Sequence, residues 1–254
     1  MLFTAARVPT DRAARHLAQL ITHLGHRPSA GRSPDDRGTI MLPGGSCRLA
    51  SRPDHLDLVA AARDTDALAS IEETVTRHLR RLGTGDHLTI AWKPLVRPAA
   101  LDDDADLLAL DTASWTPGSG FPSAQQAERT TYFTERRTPQ AHLVAELGDQ
   151  IVGTIGVHPK TRFPETAHVM AVTGLVVSAD ARRLGVASAL LASAEQRAAS
   201  LGARKLSLQV LGSNTGALRL YEHHGYTVEG RFRDEVLIGD HYIDDISMSK
   251  NLRG

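Results

Sequence analysis

The 254-residue chain has little of several features that would assign it to a class of protein at once. It contains one cysteine, Cys47, which excludes an intramolecular disulfide and is typical of a reducing compartment. Its formal net charge is zero, and it has no basic run with interleaved aromatic residues, so we expect no nucleic-acid partner. No apolar run is long enough for a membrane span. Because the first residues lack the layout of a signal peptide, we expect a cytoplasmic protein.

Hydrophobic residues still make up 41% of the chain, which is enough to bury a core, and the length allows two small domains. Residues 1–94 follow the order β-α-β-β-β-α-β, which predicts a small α+β domain with one sheet and two helices on one of its faces. The strands are expected at 3–8, 37–43, 46–51, 55–62 and 87–92, and the helices at 10–27 and 64–83.

This first segment resembles a family of short bacterial domains without an assigned function. The matching stretches are "ARV", "RHLAQLITHLGHR", "GTIMLPGGSCRLA", "RHLRRLG" and "LTIAW". The resemblance implies no chemistry. Its histidines include His16 and His23 on one helix face, which together with His78 could hold a metal or haem. None of these histidines has the i,i+4 spacing of a helical metal pair, so we expect no metal.

Residues 95–254 form a second predicted domain with an α/β pattern and a mixed central sheet. A short strand and a helix capped by the acidic run 102–104 come first, followed by a Gly/Pro loop and a second helix at 123–137. Strands at 142–147 and 150–159 form a hairpin across "GD". The later elements are a strand at 167–178, a helix at 179–202, a strand at 205–210, a helix at 215–225, and closing strands at 226–238 and 241–250.

The stretch "DARRLGVASALL" opens the helix after the strand "GLVV" with the pattern R-x-x-G-x-A, formed by Arg182, Gly185 and Ala187. A helix N-terminus offers unpaired N–H groups and the positive end of the helix dipole, which can hold a pyrophosphate. Small residues there let the phosphates approach, and an arginine pair adds positive charge. Some thirty residues later, "NTGALRLYEHHGY" has the pattern N-x-x-A-x-x-L-Y-x-x-x-G-Y, which includes Asn214 and Tyr221.

These two motifs at this spacing resemble the coenzyme A site of the GNAT N-acetyltransferase superfamily, over roughly residues 95–252. The ending "EGRFRDEVLIGDHYIDDISMSK" resembles the branch that contains small-metabolite, polyamine and ribosomal-protein acetyltransferases. The resemblance implies a GNAT fold and acetyl-CoA as co-substrate. It also implies that backbone N–H groups of a splayed strand bind the thioester oxygen, and that Tyr221 protonates the departing thiolate. The residues expected to bind the cofactor are Leu175, Val176, Val177, Arg182, Arg183, Leu184, Gly185, Val186, Ala187, Ser188, Asn214 and Tyr221.

The general base is where the sequence departs from the family pattern. Acetyl transfer needs a neutral amine, whereas a lysine-like amine has a pKa of about 10.4 and is mostly protonated at neutral pH. Many relatives carry a glutamate at the position of Ala171, which cannot titrate. The candidate substitutes are His168 on the same strand, Glu146, Asp244, and a water relay without a single base. A strand bulge, which the resemblance implies, would alter the face on which His168 lies.

The acceptor is defined less well than the donor. The loop 115–126 would border the acceptor cleft as a lid, and acidic residues could attract a cationic amine; these are Asp111, Glu128, Glu146 and Asp244. We expect transfer of an acetyl group to a primary amine of a small molecule, such as a polyamine, an amino-acid derivative or an antibiotic-like amine. The alternatives are a protein N-terminal or lysine acetyltransferase, and a ligand- or coenzyme A-sensing module without turnover. A homodimer is also possible.

Overall fold

The computed structural model describes residues 1–24, 36–82, 86–114 and 129–252. The chain divides into two compact units. The first consists of Met1–Arg97 with the short segments Ala145–Gln150 and Arg182–Ala189, and the second of Pro98–Val144, Ile151–Ala181 and Leu190–Gly254. Across the described ranges, no helix is both long enough and apolar enough to cross a bilayer.

The first unit contains a five-stranded sheet in the order β2-β3-β4-β1-β5. Its elements are β1 (Leu2–Pro9), α1 (Ala13–Leu24), β2 (Arg37–Leu42), β3 (Gly45–Ser51), β4 (His55–Ala62), α2 (Thr65–Leu82) and β5 (Lys93–Pro94). The amphipathic pattern of both helices is explained by one apolar cluster that they share with the sheet. Asp64 Oδ1 accepts the N–H of Ala67 (2.8 Å) and caps α2.

The strand predicted over 87–92 is wrong, since only Lys93–Pro94 pair with β1. Leu88, Ile90 and Trp92 instead pack against the apolar cluster of the unit. The indole N–H of Trp92 donates to Thr76 Oγ1 on α2 (2.9 Å). These side-chain contacts hold the stretch over the helix, so it does not extend the ladder.

The second sheet has seven strands in the order β11-β12-β10-β9-β8-β7-β6. It is mixed, as predicted, because β9 and β10 are parallel whereas β8–β9, β10–β12 and β11–β12 are antiparallel. The strands are β6 (Val96–Pro98), β7 (His142–Leu147), β8 (Gln150–Pro159), β9 (Val169–Val177), β10 (Lys205–Leu211), β11 (Thr227–Ile238) and β12 (His241–Asn251). The helices are α3 (Asp104–Ser114), α4 (Val186–Ser200) and α5 (Thr215–His223).

Two helix predictions need correction. The helix expected over 179–202 is shorter at its start: a 3-10 turn covers Ala179–Ala181, and α4 begins only at Val186. Arg183 (φ 66°) and Gly185 (φ 87°) have left-handed backbone conformations that no right-handed helix accommodates. The bare residue Gly185 therefore precedes the helix and is not part of it.

The helix expected over 123–137 is wrong in its second part, because residues 129–137 are not helical. Asp104 Oδ1 at the start of α3 accepts the backbone N–H groups of Tyr132 (3.0 Å) and Phe133 (2.8 Å). These bonds use donors that a helix would need for its own ladder. Residues 123–128, the proposed lid 115–126 and Glu128 lie outside the described residues.

Candidate active site

Strand β9 contains a β-bulge close to its C-terminal end. Val176 and Val177 pair with Thr154 and Gly153, whereas Thr173 pairs with Gly156, so β9 has one extra residue in between. Gly174 in the bulge has φ 58°, and a Cβ there would meet no atom within 4 Å. The bulge that the family resemblance implies is therefore present.

Strands β9 and β10 pair over a short distance and then stop. Their ladder consists of three residue pairs, the last of which is Ala171 with Ser207. Beyond that pair, the edge of β9 that faces β10 has no ladder with it in the described part of the chain, although both strands continue. Leu175, Val176 and Val177 lie on this stretch, where a splayed strand can offer backbone N–H groups to a ligand.

The turn before α4 leaves the backbone bare where a helix N-terminus begins. The helical ladder starts with Ala189 N–H donating to the carbonyl oxygen of Gly185 (3.0 Å), so the N–H groups of Val186, Ala187 and Ser188 precede it. Gly185 has φ 87°, and a Cβ there would collide with the guanidinium of Arg48, which belongs to the same compact unit. A positive φ, an absent side chain, donor groups and nearby positive charge fit a pyrophosphate.

Helix α5 positions Asn214 and Tyr221 of the second motif. Asn214 is its N-cap, and Asn214 Oδ1 accepts the N–H of Ala217 (3.1 Å). Tyr221 lies seven residues, or about two turns, after Asn214 and is buried, at 7% exposure. Its burial raises the pKa of the Tyr221 hydroxyl to about 12, so the group stays protonated at any ordinary pH.

The three residues suggested as a base have different surroundings. His168 is exposed in the turn before β9, where its carbonyl oxygen accepts Arg204 N–H (2.8 Å). It precedes the bulge by six strand residues, or about 20 Å of extended chain. Glu146 Oε2 is paired with Arg97 Nε (2.7 Å), and Asp244 is held by Arg231 Nη1 (2.8 Å). The Arg231 bond and the N–H of Asp234 lower the pKa of Asp244, with the N–H the larger cause.

A histidine that the sequence did not single out lies closer to the bulge. His142 begins β7 and is 7% exposed. A Cβ built on Gly156 would lie 3.1 Å from His142 Nε2 and 2.8 Å from Thr173 Oγ1. Because Gly156 has no side chain, the space between these two groups stays open. Nothing local marks His142, because its neighbours come from β8 and β9. Only the register of three strands reveals it.

A buried ion pair fastens the segment before β7 to helix α3. Asp111 Oδ2 on α3 lies 2.7 Å from Arg129 Nη1 and 3.6 Å from Arg137 Nη1. The Asp111 side chain is 4% exposed, so it is not an open carboxylate for a cationic substrate. Its charge instead holds a segment that borders His142.

We expect Asp111→Asn to lower the free energy of unfolding by roughly 2–3 kcal/mol, since it leaves two partly buried arginines without their counter-ion. Urea unfolding of the full chain measures this. Asp106→Asn on the exposed face of the same helix is the matched control and should change stability by no more than about 0.5 kcal/mol. Equal losses in the two variants would contradict a structural role for the Asp111 pair.

No group of three or more His, Cys, Asp or Glu residues within 1–24, 36–82, 86–114 and 129–252 could hold a metal ion. In the first unit, His16 is buried next to Asp86, with 3.2 Å between Nε2 and Oδ2. His23 is exposed. The histidines considered for a metal or haem therefore do not form a described cluster.

Comparison with known families matches both segments of the chain. Residues 106–226 match the acetyltransferase (GNAT) family, and residues 5–93 match a family described as an uncharacterized protein conserved in bacteria. An uncharacterized N-acetyltransferase of Bacillus subtilis is 33% identical over 116 residues, which cover 43% of this chain and 73% of that protein. N-acetyltransferase 8B of Rattus norvegicus is 32% identical over 94 residues, 37% of this chain and 42% of the rat protein, so less than half of that relative is matched.

Solved structures share the fold. A Streptococcus mutans protein aligns with a TM-score of 0.54 and 24% identity, over 62% of this chain and 99% of its own. A Salmonella typhimurium protein solved with its cofactor acetyl-CoA aligns with a TM-score of 0.50 and 15% identity, over 63% of this chain and 94% of its own. The bulged strand, the bare turn before α4, the capped helix α5 and these matches lead to one conclusion: the chain belongs to the GNAT family of acetyltransferases and uses acetyl-CoA as its acyl donor.

Proposed function

We propose that this protein transfers the acetyl group of acetyl-CoA directly to a primary amine of a small molecule. The observation that carries the proposal is the divergence of β9 from β10 after Ala171 and Ser207, followed by the bare turn at Gly185. A splayed strand edge and a helix N-terminus provide two sets of backbone donors in succession along the chain. Such donors suit a thioester arm and a pyrophosphate respectively.

Each motif residue has a role in this proposal. The N–H groups of Val186–Ser188 and the exposed side chains of Arg182 and Arg183 bind the phosphates. Backbone N–H groups between Leu175 and Val177 bind the thioester oxygen and the pantetheine amides, next to the amide of Asn214. Acetyl-CoA supplies an activated acetyl thioester when it is bound. Tyr221 Oη holds the proton that the departing sulfur requires.

The charges around the expected acceptor residues favour a small amine of low positive charge, such as an amino-acid derivative, over a polyamine. Asp111 and Glu146, which were expected to attract a cation, each pair with an arginine. The same is true of Asp244, which is held by Arg231. A polycation would have to compete with these arginines for each of these three carboxylates. An amine with a single charge needs no such exchange.

Release of free thiol from acetyl-CoA in the presence of an amine panel tests the proposal. The panel contains amino-acid amides, polyamines, lysine derivatives and short peptides with free N-termini, each with an acetyl-CoA blank without amine. We expect turnover with at least one small amine, and with amino-acid amides above polyamines. Turnover with peptides alone would favour a protein acetyltransferase. Tight coenzyme binding without turnover on any amine would favour a sensing module.

We also propose a homodimer in the cytoplasm. Strand β11 is an edge of the second sheet and exposes Val228, Phe232 and Leu237, while Tyr242 is exposed on its neighbour β12. An edge strand with exposed apolar side chains favours pairing with another chain. Light scattering of the full chain and of Phe232→Glu measures the oligomeric state, and we expect a dimer for the first and a monomer for the second. A monomer at micromolar concentration in the unsubstituted protein would contradict the dimer.

A further inference from the structure

Two histidines, His142 and His158, reach the face of the second sheet that contains Ala171, where many relatives carry a glutamate. Ala171 pairs directly with His158, and Thr173 pairs with Gly156, so these four positions share one face. His142 Nε2 reaches the same face next to Gly156. Thr173 is exposed, and therefore this part of the face is open to solvent.

The hydrogen bond of the His142 ring fixes its tautomer. Nδ1 lies 2.8 Å from the carbonyl oxygen of Thr138, which can only accept, so Nδ1 carries the proton. In the neutral ring, Nε2 then carries the lone pair. That lone pair is on the atom directed towards Gly156 and Thr173. The ring can therefore accept a proton at Nε2, on the side of Gly156 and Thr173.

Aromatic side chains and an ion pair keep the ring in place. His142 contacts Tyr132 and Phe133 edge to face, with ring centroids 5.5 and 6.0 Å away. Their backbone N–H groups are bonded to Asp104, and the flanking arginines to Asp111, as described above. Arg137 also lies over the Tyr132 ring at 4.7 Å. A ring packed in this way keeps its Nε2 in one direction.

The surroundings of His142 favour its neutral form. Burial is the largest cause that lowers its pKa, and electrostatic interactions with Arg137, His158 and Arg197 lower it further. The hydrogen bond to Thr138 acts in the opposite direction but is smaller. Tyr132 also packs on the ring, and burial raises the pKa of its hydroxyl, so it stays neutral. His142 is consequently able to accept a proton at neutral pH.

We propose that His142 is the general base of this acetyltransferase, with Thr173 orienting the acceptor amine or a bridging water at Nε2. The proposal rests on the acetyl-transfer function proposed above. The acceptor ammonium gives one proton to Nε2 and becomes a neutral amine. The carbon–nitrogen bond then forms as the carbon–sulfur bond breaks. Tyr221 gives its hydroxyl proton to the departing sulfur, and the nitrogen of the acceptor gives its second proton to the tyrosine oxygen. The imidazolium of His142 returns its proton to water.

Kinetics of a matched histidine series test the assignment. His142→Gln is expected to reduce kcat about 100-fold or more, with the KM for acetyl-CoA unchanged, because general-base catalysis contributes about 10²–10⁴-fold. The activity of the unsubstituted enzyme should fall on acidification below the ordinary histidine pKa of about 6.5, and His142→Gln should lose this limb. His158→Gln and His168→Gln are the controls and should keep it.

Gly156→Ala tests the geometry without removing the base. Its Cβ would lie within 3.1 Å of Nε2 and 2.8 Å of Thr173 Oγ1, so it closes the space between them. We expect kcat to fall at least tenfold while the His142 ring still titrates. The titration is followed by the NMR shifts of the imidazole C–H protons in the absence of acetyl-CoA, against His142→Gln for assignment.

The outcomes separate this inference from the proposed function. If the unsubstituted enzyme acetylates no amine of the panel, the function fails, whereas the NMR titration still reports the state of His142. If it is active and His142→Gln keeps both its rate and its acid limb, the His142 assignment is wrong. Loss of the limb in His158→Gln but not in His142→Gln would move the base to His158 and overturn the proposal. A ring that titrates above 6.5 would also contradict it.

Discussion

Replacing Gly185 by valine is expected to weaken acetyl-CoA binding about 100-fold or more. The N–H groups of Val186–Ser188 would lose access to the phosphates, and two charge-assisted hydrogen bonds of about 1.5–3 kcal/mol each correspond to that factor. The valine Cβ would also displace the Arg48 guanidinium. Isothermal titration with acetyl-CoA measures the change in affinity.

Gly202 provides a matched control for this variant. It has the same φ of 87° and follows the other end of α4, but a Cβ there would meet no atom within 4 Å. Gly202→Val therefore introduces a similar backbone strain, of order 1–3 kcal/mol, without contacting the proposed phosphate-binding N–H groups of Val186–Ser188. It should lose stability and keep its affinity for acetyl-CoA. Retained affinity in Gly185→Val, or equal losses in both variants, would contradict a phosphate cradle at Gly185.

Tyr221→Phe is expected to lower kcat about 100-fold while the dissociation constant of acetyl-CoA changes less than threefold. The ring that packs in the protein remains, and only the proton donor is lost. With a pKa of about 12, the hydroxyl is roughly 3.5 units less acidic than an ordinary thiol, so protonation of a fully formed thiolate by Tyr221 alone would be uphill by about 5 kcal/mol. In the proposed reaction, the acceptor amine therefore returns a proton to Tyr221 in the same step in which the tyrosine protonates the sulfur.

Tyr226→Phe is the control for Tyr221, because the two rings are neighbours with centroids 5.8 Å apart and both are buried. It should keep kcat within a few-fold. The pH dependence adds a second check: since Tyr221 loses its proton only near pH 12, kcat should show no falling limb from this group below about pH 11. An unchanged kcat in Tyr221→Phe would remove it as the acid.

The parts of the site that could be predicted from the sequence are those encoded by consecutive residues. The pattern from Arg182 to Ala187 describes a turn and a helix start, and Asn214 to Tyr221 describes a capped helix with one buried tyrosine. Gly185 has φ 87°, a left-handed backbone conformation that glycine adopts more readily than other residues. Local pattern and local structure agree for the capped helix at Asn214–Tyr221, whereas the helix expected from residue 179 begins only at Val186.

The remainder depends on contacts between distant parts of the chain. The helix expected over 129–137 does not form there because Asp104, on another element, accepts the N–H groups of Tyr132 and Phe133. His142 looks like the first residue of an ordinary strand until β8 and β9 bring Gly156 and Thr173 next to it. Strand register and side-chain hydrogen bonds between distant residues leave no periodic pattern in the sequence, so they cannot be predicted from it.

The most direct test of the account is a paired measurement of acetyl-CoA consumption and amine acetylation by the full chain. Free thiol and acetylated amine are quantified in the same reaction by absorbance and mass spectrometry. We expect the two products to appear in equal amounts with at least one small primary amine, and Gly185→Val and Tyr221→Phe to reduce both. Thiol release without an acetylated amine, or coenzyme binding with neither product across the panel, would contradict it.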